Sequence, residues 1–588
     1  MTLVADPPAA LAAEGAPLRR GTLLDSFTLE PRIAYFSMEI ALASRIPTYS
    51  GGLGALAGDT MRSAADLELP FVAVSLVSRA GYFRQEIDAE GRQIEHPARW
   101  DPAAWATPLE AKIAVDIESR KVWVGGWLYL LRSHMGGVAP VILLDTDLSE
   151  NGAEDREITH YLYGGDEAYR LKQEIVLGIG GVRMLYALGF RIRQYHMNEG
   201  HSALLAVELL RRFAYPENEV RAGESRYDIP RVRELCNFTT HTPVEAGHDQ
   251  FSYELVQRVL GNPVDLAELK VLAGADRLNM TRLALNLSEY VNGVAKRHAE
   301  ISRRMYPGYR VHAVTNGVHS RTWTHAGFVK LYDAHLPGWC HEPEQLVRAD
   351  RISDAAIWEA HATAKKELIE RVQAATGVGL HAHVPIIGLA RRMTAYKRPD
   401  LIFSDLERLR AIAQRLPFQI VIAGKAHPRD HAGKRLIETL HGYMRQLRDV
   451  IPIAYLPDYD MDAALAMVSG SDVWLNTPLR PLEASGTSGM KAAFNGVPHL
   501  SVLDGWWMEG CIEGVTGWAV GDDGEGVARE DAASLYEKLE QVVLPLYYGY
   551  SGERAAWIAV MKGAICKSAS FFNSHRMLRR YATEAYIR

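Results

Sequence analysis

A chain in which short apolar strands alternate with helical stretches, and in which that alternation restarts past the middle, has few folds open to it. Strand–helix–strand units close into parallel sheets covered by helices. The first unit here is RIAYFS at 32–37, then the glycine turn TYSGGLGALAGD, an expected helix at 60–67 and an expected strand at 71–76. The grammar recurs through VILLDTD, an expected helix near 167–188, the stretch around HMNEGH, the strand-like NFTTHTP at 237–243, and an expected strand at 311–315. From 251 to 304 the pattern is mainly helical. TGVGLHAH at 376–383 interrupts it, and VPIIGLA opens a second set. Strands are expected there at 384–389, 418–423, 452–456, 472–476 and 498–502. This second set reads as a Rossmann-like sheet.

The expected organisation follows. Residues 1–25 form a mobile tail, 26–380 an N-terminal α/β domain, 381–565 a C-terminal Rossmann-like domain, and 566–588 a helix packing back on the first domain. Two α/β domains facing each other make a cleft, where ligands usually sit. The net charge of −6 disfavours a nucleic-acid binder as a global reading. Cys236, Cys340, Cys511 and Cys566 are far apart, so neither a zinc site nor a disulfide framework is implied, and a reducing cytoplasm fits. The N-terminus does not read as a signal peptide, and no apolar run is long enough to span a membrane.

Five stretches carry chemistry. In EASGTSGMKAAFNG, 483–496, Gly486, Thr487, Ser488 and Gly489 turn several amides toward one point, and a helix expected near Met490 adds its N-terminal end. GxxxxGK[ST] is absent, which disfavours a nucleotide triphosphate. Lys491 is a point charge for a phosphate, the lysine that joins an aldehyde cofactor, or a solvated lysine at an ordinary helix start. In GLARRMTAYKRPDLIF, 388–403, Arg391, Arg392, Lys397 and Arg398 put four positive charges on one loop at a strand's carboxyl end, before a helix that Pro399 and Asp400 can open. Gly51, Gly52 and Gly54 let backbone approach a ligand. His196, His201, His241 and His248 lack metal-ligand spacing, and a metal is not expected; His241 ends a short strand and can line a cleft. Asn316, in VTNGVHSRTW, is a turn residue that can offer an amide to a sugar hydroxyl. Trp323, Tyr396, Tyr459, Trp506 and Trp507 stand near these turns.

Together and in this order, YFSMEIA, YSGGLG, NEGHSA, THTPVEAGHD, VTNGVHSRTW, ARRMTAYKR, AGKAHP and EASGTSGMKAAFNG resemble the α-glucan phosphorylases, in particular the compact bacterial branch related to glycogen phosphorylase. The resemblance implies a GT-B glycosyltransferase fold and reversible, retaining phosphorolysis of α-1,4-glucan, glycogen or maltodextrin. The products are α-glucose 1-phosphate and a shortened chain, and the cofactor is pyridoxal phosphate. It implies that Lys491 holds the cofactor aldehyde, that Thr487, Ser488 and Gly489 cradle its phosphate, and that Gly51 and Trp323 border it. Arg392 and Lys397 would bind inorganic phosphate with the Gly52 amide. Leu53, His241, Asn316, Glu483, Ser485, Gly486 and Tyr396 would face the glucosyl unit, with the His241 carbonyl near the developing positive charge. A homodimer is suggested by the family alone. Glycogen synthases share the architecture, but Ser50 stands where they carry a lysine, and they lack the lysine of SGMK. Ala41 replaces an aromatic residue of the animal and plant members, and Thr394 and Ala395 replace their histidine and glutamate. Because the motifs begin within the first 40 residues, no counterpart is expected here for the long N-terminal extension of the animal enzymes or its phosphorylation and nucleotide sites. The rival readings are a nucleotide-sugar glucosyltransferase and a catalytically silent glucan-binding homologue.

Overall fold

The computed structural model describes residues 22–221, 223–244, 247–522, 528–549 and 554–587. The expected mobile tail lies outside them up to residue 21, and Thr22–Thr28 is helical. Two sheets organise the rest. In the first, seven parallel strands lie in the spatial order Val138–Asp145, Phe71–Leu76, Arg32–Phe36, Ile192–Asn198, Cys236–Thr239, Tyr290–Gly293 and His312–Ala313. Antiparallel strands extend it beyond Val138–Asp145, beginning with Arg120–Arg132. The second sheet is parallel throughout: Ile453–Leu456, Gln419–Ala423, Ile386–Ala390, Val473–Asn476, His499–Val502 and Gly517–Val520.

Numbered by sequence, the parallel strands of both sheets run 3-2-1-4-5-6, with one more at the end of the first. That is the doubly wound order, whose ligand crevice opens where the strand order reverses. The crevices therefore lie at the carboxyl ends of Arg32–Phe36 and Ile192–Asn198 in one sheet, and of Ile386–Ala390 and Val473–Asn476 in the other.

The strands read as unbroken apolar runs because both faces are covered. Successive side chains enter opposite layers, as the twofold period requires. Ala34, Phe36, Val72, Val74, Ile142 and Leu144 join one cluster, and Ile33, Tyr35, Phe71, Ala73, Val141 and Leu143 the other.

Several expectations change. The helix expected at 60–67 runs Gly52–Asp66, with Gly51 as its N-cap and Gly52 and Gly54 inside its first turn. Tertiary contact overrides propensity here, since a Cβ at Gly58 would lie 2.1 Å from the Ala41 carbonyl oxygen. Within the stretch read as mainly helical, Tyr290–Gly293 is a strand of the main sheet. Gly517–Val520 adds a strand that the sequence pattern did not suggest. The helix expected to open at Pro399–Asp400 begins as a 3-10 turn, Leu401–Phe403, with Asp400 at its N-cap; the α-helix itself starts at Leu406, where the Asp405 carboxylate accepts from the Arg408 amide at 2.9 Å.

The break near residue 380 is the end of a helix, not a change of core. Asp354–Thr376 stops at Gly377, which takes the left-handed conformation. That helix and Ala326–His335 before it bury Phe328, Tyr332, Ile357, Leu368 and Val372 against the second sheet. The chain changes core near Val318. It returns near Asn573, later than the expected 566, since Ile565, Cys566 and Phe572 still pack in the second core. The helix Ser574–Tyr581 then covers the first sheet through Met577, Leu578 and Tyr581. The two crossing segments hold each other: Val318 N–H donates to the Phe572 carbonyl at 3.1 Å, and Ser574 N–H to the Val318 carbonyl at 2.9 Å. Gly317 is required at this approach, because a Cβ there would meet the Asn573 carbonyl oxygen at 2.1 Å.

Candidate active site

The first wall of the cleft is the start of the Gly52–Asp66 helix. Its N-cap, Gly51, offers no side chain, and the first intrahelical bond is from Ala55 N–H to the Gly51 carbonyl at 3.0 Å. The amides of Gly52, Leu53 and Gly54 precede that bond and point out of the helix end. A Cβ at Gly52 would meet nothing within 4 Å, so the backbone there faces open space. Just behind it the buried Glu39 carboxylate accepts from Ser50 N–H at 2.5 Å and Gly51 N–H at 3.1 Å.

The opposite wall is the loop after Ile386–Ala390. Its four positive charges do not act alike. Arg391 is turned inward, donating to the Lys397 carbonyl at 2.5 Å, and burial pulls its guanidinium down to about 10. Arg398 leaves the site altogether. It adopts a left-handed φ of 44° and donates to the carbonyls of Thr477 (3.0 Å) and Pro478 (2.6 Å) and to Asp531 (2.7 Å). Lys397 forms a close ion pair with Glu483. Arg392 is exposed as a residue, unlike Arg398. A Cβ at Gly51 would lie 3.3 Å from its Nη2, so Arg392 abuts the glycine helix. Tyr396 is half-buried, with its ring centroid 4.9 Å from the Lys397 ammonium.

The stretch that carries Lys491 forms the floor. Glu483 N–H donates to the Asp504 carboxylate at 2.8 Å, and Trp506 N–H to the Ser485 carbonyl at 2.9 Å, so the turn 504–506 shapes the loop. Burial raises Asp504 to about 6. Gly486 has φ 79°, a region in which a side chain is strained. The helix Ser488–Ala493 has only six residues, so its dipole contributes little and any anion there depends on individual amides. Thr487 provides no side-chain cap, while the Ser488 hydroxyl accepts from the Trp474 indole at 3.0 Å. Gly489 sits against the His499 ring, which a Cβ would meet at 2.7 Å. Gly489→Ala is expected to cost about 1–3 kcal/mol by overpacking, read as a lower urea midpoint. An unchanged midpoint would mean that the ring yields without cost.

Lys491 is buried, with its Nζ 3.5 Å from the centroid of the Trp323 ring. Burial lowers it to about 8, against the attraction of Asp59. The Trp323 indole donates to Asp59 at 2.8 Å, which fixes the ring under the ammonium.

On the glucan side, His241 N–H donates to Glu199 at 2.8 Å, and its Nε2 lies 2.6 Å from Asn198 Oδ1. Burial holds the imidazole well below its ordinary value, so it is neutral. The Asn316 side-chain oxygen and the Ser485 hydroxyl are buried with no hydrogen-bond partner among the described residues. Buried polar atoms rarely stay unpaired, and these two suit the hydroxyls of a ligand. The other expected histidines are engaged elsewhere: His196 with Tyr586 and Thr239, His201 with Asp249, His248 with Thr281.

The contacts thus link Arg392 to Gly51, Lys397 to Glu483, and Lys491 through Trp323 and Asp59 to the Gly52–Asp66 helix, with His241 just past the carboxyl end of the strand Cys236–Thr239. Four carboxylates that organise the site were not singled out from the sequence: Glu39, Asp59, Glu199 and Asp504. A signal existed for two of them, since Glu39 and Glu199 follow closely on buried strands inside the motifs YFSMEIA and NEGHSA.

Parallel doubly wound sheets, a basic loop at a switch point and a buried lysine describe an α/β protein with a positively charged cluster at a strand's carboxyl end. A sequence model of the carbohydrate phosphorylase family matches residues 249–513. Maltodextrin phosphorylase of Thermococcus litoralis is 40% identical over 602 aligned positions, which cover 95% of this chain and 70% of that protein. Glycogen phosphorylase of Aquifex aeolicus is 36% identical, covering 95% of this chain and 86% of its own length. An uncharacterised protein of Methanocaldococcus jannaschii, 32% identical, matches over 94% of this chain and 99% of its own. The chain belongs to the carbohydrate phosphorylase family.

Proposed function

We propose that this chain is an α-1,4-glucan phosphorylase of GT-B architecture, which transfers a terminal glucosyl unit of glycogen or maltodextrin to inorganic phosphate and releases α-glucose 1-phosphate. The observation that carries the reading is the pairing of two opposed features. Arg392 and Lys397 lie at the switch point of one sheet, and the free amides of the Gly52 helix start lie at that of the other. Charge and donors from both sides suit a phosphate dianion.

The residues around Lys491 fit pyridoxal phosphate. A buried amine lowered toward neutrality is suited to bind an aldehyde, the Trp323 face borders it, and Thr487, Ser488 and Gly489 supply amides for a phosphate. When bound, the cofactor supplies a phosphate whose second ionisation near ~6 permits proton exchange at neutral pH. The chain's own part is to bind and orient. Arg392 takes substrate phosphate with the Gly52 amide, beside Leu53. Lys397 positions Glu483 against the sugar while adding positive charge. Asn316, Ser485, Gly486 and Tyr396 meet sugar hydroxyls. His241, held neutral and anchored by Glu199 and Asn198, keeps its main chain against the glycosyl carbon.

The test is formation of α-glucose 1-phosphate from maltodextrin, with and without inorganic phosphate. Phosphate-dependent product is expected, and Arg392→Ala is expected to raise the phosphate KM about a hundredfold. Glucosyl transfer from a nucleoside diphosphate glucose, with no phosphorolysis, would overturn the assignment.

A further inference from the structure

Tyr163 is a bulky residue with a left-handed backbone, φ 57°, in the segment YLYGGD. Such a conformation is an outlier for an aromatic residue and is kept only where its surroundings enforce it. Arg170 packs over its ring at 4.7 Å, and His201 meets it edge-on at 5.9 Å. Arg170 is itself held by Glu174 and Asp249, each at 3.0 Å. The hydroxyl so placed donates to Glu39 Oε1 at 2.9 Å.

Glu39 is a carboxylate beside a site that would receive phosphate. Its Oε2 is taken by the Ser50 and Gly51 amides, and Oε1 by Tyr163, with the Ser50 hydroxyl making longer contacts to both oxygens at 3.2 and 3.3 Å. Among the described residues Arg392 has no ion-pair partner, and it packs against the same Gly51. A carboxylate able to swing toward Arg392 would pair with it and compete with phosphate. We propose that Tyr163 is a positioning residue whose hydroxyl holds Glu39 on the Ser50–Gly51 amides and so reserves Arg392 for phosphate. The inference rests on the phosphorolysis reading above.

The test is Tyr163→Phe, compared with wild type in phosphorolysis and in the rise of thermal midpoint with inorganic phosphate alone. The expected result is a phosphate KM and a half-saturating phosphate concentration both raised about tenfold. The glucan KM and the bound pyridoxal phosphate stay as in wild type. Adding Glu39→Gln to Tyr163→Phe is expected to restore the phosphate KM, because a neutral amide does not compete for Arg392. A phosphate KM unchanged in Tyr163→Phe, or one that rises in step with the glucan KM, overturns the positioning role. The same follows if Glu39→Gln gives no recovery in that background. Absence of phosphorolysis in wild type overturns the phosphorylase reading and this inference with it.

Discussion

Lys491→Ala is expected to reduce bound pyridoxal phosphate from about one per chain to near zero, and to lower phosphorolysis by at least about a thousandfold. The side chain is buried over the Trp323 face, and burial, with a smaller push from the Arg62 charge, brings its amine down to about 8 against the attraction of Asp59. A partly neutral amine at working pH is the form that captures an aldehyde, and alanine offers none. Lys491→Arg is the sharper control, because it keeps the positive charge without a usable nucleophile and is expected to bind no cofactor either. The measurement is cofactor released by acid denaturation, set beside glucose 1-phosphate formation in the same preparations. If Lys491→Ala phosphorolyses maltodextrin at the wild-type rate, the proposed role of this lysine is wrong.

Asp66→Ala is expected to destabilise the protein by about 3–5 kcal/mol, the usual loss when one partner of a buried charged network is removed. Asp66 ends the Gly52–Asp66 helix. It accepts from His319 Nε2 at 2.7 Å and His575 Nε2 at 2.9 Å, and from the Ser133 hydroxyl. His319 lies on the first crossing between the cores and His575 on the second, so one carboxylate ties both. Among the described residues this is also the one cluster with metal-ligand spacing. Each of its imidazoles already spends its Nε2 proton on the carboxylate. Against burial, which would raise it, the hydrogen bonds from His319 and His575 hold the Asp66 carboxyl far below its ordinary 3.8. Its stabilisation is therefore complete above about pH 4 and is lost as pH falls toward the folded value. His319 is lowered by burial from 6.5, so the unfolded chain gains a proton there first, and stability declines as pH falls below about 6.5. Urea unfolding of wild type and Asp66→Ala at pH 7 checks the magnitude. A difference under about 1 kcal/mol would mean that the crossings are held by packing alone.

The elements repeated in the second half were legible because their signals are local. The strands expected at 418–423, 452–456, 472–476 and 498–502 fall within a residue or so of those found. Lys491, Arg392 and Lys397 were legible as a charged group because each sits on a loop directly after a buried strand or in a glycine turn. The helix from Gly52 was not, because glycine argues against a helix locally. The reason for Gly54 and Gly58 lies in Glu39 and Ala41, brought there by the fold. Tyr290–Gly293 was missed because YVNG lies among helical residues and shows its strand character only beside Cys236–Thr239.

Sequence by itself determined the class: alternating strands and helices in two sets, with phosphate-type turns and a lysine at their ends. Those properties depend on residues a few positions apart. Tertiary structure decided which core each helix joins, which of four positive charges faces the cleft, and which carboxylates hold the glycine helix and both crossings. Arg392 and Arg398 are six positions apart on one loop, and nothing local tells them apart. Asp531 and the Thr477 and Pro478 carbonyls take Arg398 inward, while Gly51 meets Arg392 from the other wall. The energy that separates them comes from partners more than seventy residues away in the chain, which only the closed fold brings into contact.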